Sequence, residues 1–162
     1  MATPTTLPAT FVSGDVLEAA QLNNLRGAFR ILQVVEGTTS TAVSSTSTAF
    51  VTTGLSASIT PSSTSSKVLV IATSVLGTDG SVFSGQVSAL FRGTVAGTNI
   101  AQMLTFTSSN SGVSQSIIKL DSPNTTSAQT YTLGMKTNSA STVIYANREN
   151  SFGSIILMEI SA

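Results

Sequence analysis

Seven carboxylates carry most of the acid–base chemistry that this sequence can offer near neutral pH: Asp15, Glu18, Glu36, Asp79, Asp121, Glu149 and Glu159. Histidine and cysteine are both absent. That removes the side chain that titrates near neutrality, the commonest metal ligand and any thiol nucleophile. Glycoside hydrolysis would need two carboxylates converging across a cleft at roughly 5–9.5 Å. Asp79 and Asp121 instead stand in turn signals, where aspartate bonds to nearby backbone, and Asp15 heads a helical pattern. A nucleophilic serine would need an adjacent base, and Ser65-Ser66-Lys67 is the one place where serine and lysine adjoin. A polar turn leading into the apolar run that follows explains that triplet. No catalytic residue is expected, and the chain reads as non-enzymatic.

The binding motifs are equally sparse. Gly93 and Gly97 bracket Thr94-Val95-Ala96 between two strand patterns, which is a hairpin and not a phosphate loop. A turn such as Asp121–Asn124 holds one acidic residue, too few for a useful calcium site, so no metal or cofactor is expected. Asn124-Thr125-Thr126 matches the glycosylation acceptor pattern, which has meaning only on a secretory route. Sugar sites usually stack the ring on an aromatic face, yet aromatics are 6% of the chain and tryptophan is absent. Tyr131 and Tyr145 fall in strand patterns and read as core or interface rings with the hydroxyl at the edge.

Charged residues make up 9% of the 162 positions, hydrophobic residues 41%, and the net charge is zero. Hydroxyls take the place of charge, since Ser and Thr make up about a third of the chain, a bias suited to β-rich surfaces. With no basic cluster to neutralise phosphates, nucleic acid is not an expected partner. With no apolar run near ~18 residues, neither is a membrane. The N-terminus lacks the basic start and apolar run of a signal peptide, which implies a protein made in a cytoplasm. A surface so short of charge protects a lone monomer poorly against association, and burial against copies or a partner is one remedy.

The elements follow from periodicity. Residues 1–10 hold two prolines and read as an extended arm. The stretch FVSGDVLEAAQLNNLRGAF is the one convincing helix: Asp15 and Glu18 have the spacing of a capping-box-like start, Leu22, Leu25 and Phe29 recur at helical spacing, and Gly27 is a stop. A helix this short is marginal alone, so its apolar stripe must dock. From Ile31 onward the pattern is strand and turn. ILQVV is a short apolar strand, and Phe50, Leu55, Ala57 and Ile59 are inward candidates on the next. KVLVIATSVL is apolar on both faces, and Gly77, Asp79 and Gly80 mark a loop after it. QVSALFR, NIAQMLTF, SQSIIKL, QTYTLGMK, STVIYAN and SIILMEI complete eight or nine strands. This spacing predicts an all-β fold, an antiparallel β-sandwich resembling a jelly roll, with residues 1–30 as N-terminal arm and helix and 31–162 as the sandwich domain.

Three stretches resemble small structural proteins and fibre or decoration domains of tailed phages: FVSGDVLEAAQLNNLRGAF, TGLSASITPSSTSSKVLVIATSVLG, and the closing run from LDSPNTTSAQTYTLGMK to ILMEI. The resemblance covers about half the chain and implies a homotrimeric virion protein made in the bacterial host. It further implies partners among its own copies and the major capsid protein or tail components. With no long shaft in the sequence, a capsid decoration (cement) protein is favoured over a tail-fibre or spike tip that binds a host receptor or glycan. Leu17, Leu22, Leu25 and Phe29 are the candidate anchoring residues. They pack either against the particle or a neighbouring subunit, or against one open end of their own sandwich. The two-sided apolar strands Val68–Leu76 and Ile155–Ile160 suit either a three-fold interface or the middle of a monomeric sheet.

Overall fold

The computed structural model describes residues 30–79, 84–108 and 110–161. The arm and helix expected over residues 1–29 lie outside the described residues. Ten strands follow in order: β1 (Ile31–Thr39), β2 (Val43–Ser45), β3 (Val51–Ile59), β4 (Lys67–Asp79), β5 (Ser84–Arg92), β6 (Thr98–Thr107), β7 (Ser111–Asp121), β8 (Gln129–Thr137), β9 (Val143–Ala146) and β10 (Gly153–Ile160). All pair antiparallel and form two sheets, an all-β sandwich as expected.

The ten segments occupy eight strand positions. β7 runs along one edge of β4 from Val68 to Thr78, while the other edge is shared end to end by β10, over Lys67–Thr73, and β9, over Leu76–Asp79. β1 lies outside β10 and β2 outside β9. Sheet A therefore reads β7, β4, β10/β9 and β1/β2, and sheet B reads β3, β8, β5, β6. Successive strand positions alternate between the sheets except at β5–β6, the hairpin expected at Gly93–Gly97. This is jelly-roll topology.

The break between β9 and β10 has a local cause. Asn147, Glu149 and Asn150 have left-handed backbones with φ of 55°, 57° and 59°, a conformation that Asn tolerates better than most residues. Asn147 is buried there, its N–H donating to the Val75 carbonyl at 3.0 Å and its Oδ1 accepting from the Ser74 hydroxyl at 3.0 Å.

Inward side chains of both sheets fill the core: Leu55 and Ile59 of β3, Val68 and Val70 of β4, Leu90 of β5, Tyr131 and Leu133 of β8, Ile155 and Leu157 of β10. Fully burying each such aliphatic side chain contributes roughly 1.5–3 kcal/mol. Of the expected inward residues, Leu55, Ala57 and Ile59 of β3 are buried, as are Tyr131, Leu133 and Met135 of β8, but Phe50 precedes β3, is only half-buried and packs its ring against Phe91 instead of entering the core. The loop expected at Gly77 is instead strand, because β4 continues to Asp79. Gly77 is needed inside that strand: a Cβ there would run into the Tyr145 ring and lie 2.5 Å from the Ser111 carbonyl oxygen.

Candidate functional site

Among the described carboxylates, Glu36, Asp79, Asp121 and Glu159 are bonded into the scaffold. Asp121, at the end of β7, reaches across the sandwich to β5 and β8: Arg92 donates Nε to Oδ2 at 2.9 Å and Nη2 to Oδ1 at 2.5 Å, and the Tyr131 hydroxyl donates to Oδ2 at 2.7 Å. Burial pushes the Asp121 carboxyl up, but the hydrogen bonds from Arg92 and Tyr131 outweigh it and hold the group below its usual range. The same burial, with the carboxylate alongside, pushes the Tyr131 phenol up.

Glu159 of β10 is buried with 0% exposure. Its Oε1 accepts from the Ser62 N–H at 2.7 Å and the Ser62 hydroxyl at 2.6 Å, and its Oε2 accepts from Gln33 Nε2 at 2.7 Å. Gln33 also donates to the Thr60 carbonyl at 2.6 Å. Burial raises the Glu159 pKa, yet these donors win and bring it down to about 2. Asp79 pairs with Arg148 across the sheet end, Glu36 accepts from the Ser154 hydroxyl at 3.0 Å, and Glu149 sits exposed in the turn after β9. Among the described residues, no group of three or more carboxylates converges as a metal site would require. Asp15 and Glu18 lie outside the described residues.

The other sequence candidates are placed as follows. Lys67 donates its ammonium to the Ser122 hydroxyl at 3.0 Å, and Ser66 is buried at the turn. Asn124 holds a left-handed turn position with φ of 55°. Tyr131 is a core ring whose hydroxyl is spent on Asp121. The Tyr145 ring lies beneath the Arg148 guanidinium, 4.8 Å from its centroid. These two side chains border a cleft of about 620 Å³ with Asn110, Glu149 and Ser151. The ring face that a sugar would stack on is thus partly taken by Arg148. Leu17, Leu22, Leu25 and Phe29 all lie outside the described residues, and nothing described brings them together.

Sequence reasoning anticipated the two-sided strands but not the surface they build. On the outer face of sheet A, strand register aligns apolar side chains in rows. One row runs Val34, Met158, Leu69, Leu120, and the next Ile156, Ile71, Ile118, with Ile31 and Ile160 at one end. The central members are half-buried and the flanks exposed, Val34 at 56% and Ile118 at 64%. The third row changes to hydroxyls: Ser154, Thr73 and Ser116, the last two hydrogen-bonded at 2.8 Å. The signal for this face was present as period-two apolarity on both sides of β4 and β10. Its extent depends on cross-strand register, which no single segment carries.

No family model and no curated protein matches the chain. Solved structures similar to it include a pilus subunit of Bacillus endospore appendages, at 12% identity and a TM-score of 0.34 over 80% of this chain and 89% of that one. The VP2 subviral particle of infectious bursal disease virus is similar at 10% identity and a TM-score of 0.43, over 79% of this chain and 38% of that one. The Gx strain of the same virus gives 12% and 0.41, over 80% of this chain and 38% of that one. At TM-scores below 0.5, none of the three assigns this chain a role.

Proposed function

We propose that this protein is a structural component of a bacteriophage virion, a homotrimeric decoration (cement) protein seated on the particle surface. The observation that carries the reading is the outer face of sheet A, where rows of apolar side chains are bordered by hydroxyls and by Glu36 and Lys67. Protein interfaces have this anatomy, an apolar core inside a polar rim, and a three-fold axis lets such a face meet a neighbouring copy in a closed ring. The bonds that tie Asp121, Glu159, Asp79 and Glu36 into the scaffold support a non-enzymatic role. Attachment to the major capsid protein or a tail component falls to the N-terminal segment, residues 1–30. Light scattering at micromolar concentration tests the assembly: the expected mass is three times 16.5 kDa, and a stable monomer overturns the trimer. Imaging of virions tests the seat, with density at capsid three-fold positions as the expected result.

A second reading, a tail-fibre or spike tip, is favoured by the cleft beside Tyr145 and Arg148, which lies on a loop with three left-handed non-glycine residues. Backbone strain of this kind gathers at ligand sites. Specific, saturable binding on a glycan array would favour the tip over the decoration protein.

A further inference from the structure

The core between the sheets is two apolar clusters and not one. The larger is built around Leu55, Ala72, Leu90, Leu133 and Ile155, and the smaller around Leu76, Met135, Ile144 and Ala146. Along β4 the inward order is Ala72, Ser74, Leu76, and along β3 it is Leu55, Thr53, Val51, so each strand passes from one cluster to the other through a hydroxyl. Gln86 and Ser88 of β5, Gln115 of β7 and Asn147 of the turn after β9 join Thr53 and Ser74 in this layer, all six exposed by 5% or less. The layer crosses the sandwich where β4 changes partner from β10 to β9. Most of it is satisfied internally. The Thr53 hydroxyl donates to the Leu133 carbonyl at 2.9 Å, Ser74 to Asn147 Oδ1 at 3.0 Å, and Ser88 to Gln115 Oε1 at 2.6 Å. Two atoms are left over: Gln86 Oε1 and Gln115 Nε2 are buried and have no partner among the described residues. A buried amide atom left so bears its full desolvation cost, which native interiors rarely accept.

The geometry points to an internal water site in this layer, one ordered water bridging Gln86 and Gln115 between the two sheets. Their placement brings the two amides together. Gln86 and Ser88 are successive inward residues of β5, and Ser88 already touches Gln115. On the opposite sheet Gln86 Nε2 lies 3.4 Å from the Leu76 carbonyl, while Gln115 is paired in register with Ser74, the preceding inward residue of β4. The amides thus reach from opposite sheets toward positions offset along the strands by one inward step, about 7 Å. The chemistry selects water over an ion. One free atom accepts and the other donates. A cation would engage the carbonyl oxygen alone and an anion the N–H alone, whereas water donates to Gln86 Oε1 and accepts from Gln115 Nε2 at once. No charged side chain belongs to the layer, so nothing there would offset the desolvation of an ion. Waters that satisfy buried polar groups in this way are part of a protein's structure. Every residue of the site lies within one chain, so it holds whether or not the trimer does.

A crystal structure of the full-length protein, at a resolution that orders internal solvent, tests the site directly. The expected result is a water peak within about 3.2 Å of both Gln86 Oε1 and Gln115 Nε2. A direct bond between the two amides, side chains closed over both atoms with no solvent peak, or a peak that is an ion overturns the proposal. Oxygen-17 relaxation dispersion gives a second readout in solution, because it counts waters held for longer than the protein takes to tumble. Gln86→Met removes the acceptor and leaves the Ser88–Gln115 bond in place, so the count should fall by about one from that of the parent. Gln102→Met, at an exposed position of β6, is the control and should leave the count unchanged. An equal count in the parent and in Gln86→Met overturns the proposal, and should that variant fail to fold, the crystal structure of the parent decides.

Discussion

Replacing Glu159 with glutamine keeps the side-chain volume and removes the charge from a site built to receive acceptors only. The carboxylate takes two hydrogen bonds from Ser62 and one from Gln33, all between 2.6 and 2.7 Å. A glutamine must turn an amide N–H₂ toward one of those donors and leave it opposed. Glu159 titrates at about 2 where 4.5 is usual. At about 1.4 kcal/mol per pH unit, that displacement corresponds to roughly 3 kcal/mol at neutral pH, and water around the exposed Ser62 reduces it to about 2 kcal/mol. Because the folded-state pKa is depressed, this stability is fully present above pH 4.5 and is lost as pH falls from 4.5 toward 2. Urea unfolding of both proteins, chosen because urea is uncharged, should show a gap of about 2 kcal/mol at pH 7, or roughly 4–8 °C in Tm for a domain of this size. The gap should close toward pH 2. A variant as stable as the parent at pH 7, or a gap that does not change with pH, would refute the reasoning.

Asp121→Asn removes the partner of a half-buried guanidinium and the acceptor of a buried phenol, and breaking a buried pair in this way costs about 3–5 kcal/mol, measurable by the same urea titration. The parent's Asp121 carboxyl is held below 3.8, so its contribution too is present above that pH and fades on further acidification. Gly77→Ala drives a Cβ into the Tyr145 ring and the Ser111 carbonyl and should destabilise by about 1–3 kcal/mol, with the largest increase in hydrogen exchange at β9. Ile118→Lys places a charge at an exposed flank of the sheet A face. Stability should move by no more than about 0.5 kcal/mol, while the mass by light scattering falls to that of the monomer.

How far the sequence reaches depends on how local the signal is. β8 alternates so cleanly that its inward set, Tyr131, Leu133 and Met135, is readable from eight residues, and Gly93 and Gly97 mark a hairpin that needs nothing beyond its own strands. Asp121 looks like a turn aspartate because its neighbours Ser122, Pro123 and Asn124 are turn formers. Its partners Arg92 and Tyr131 lie 29 and 10 positions away and leave no mark near it. Gly77 resembles a loop glycine for the same reason, since the Tyr145 ring that requires it arrives from another strand. Two stretches far apart in the chain meet in space: Ser62, in the turn after β3, holds Glu159 of β10. That contact spans 97 positions, and composition and periodicity are blind to it. The split of one strand position into β9 and β10 is also hidden, because Asn147-Arg148-Glu149-Asn150 reads as a terminating turn and not as an interruption within one line of the sheet.

The placement of β10 bears on how the chain is made. Residues 153–160 form an inner strand of sheet A, with β1 on one side and β4 on the other, and among the described residues β5–β6 is the one hairpin joining neighbours within a sheet. While a ribosome is still synthesising the chain, β1 therefore waits without its partner until more than a hundred further residues have emerged, and Glu159 cannot yet meet Ser62. Such non-local pairing makes folding slow, on the order of milliseconds to seconds, and defers closure of sheet A until synthesis has passed Ile160. A ribosome stalled before residue 153 should hold a nascent chain that proteases cut readily within β1 and β4, and one stalled on an added C-terminal linker that frees Ile160 from the exit tunnel should hold a chain that resists.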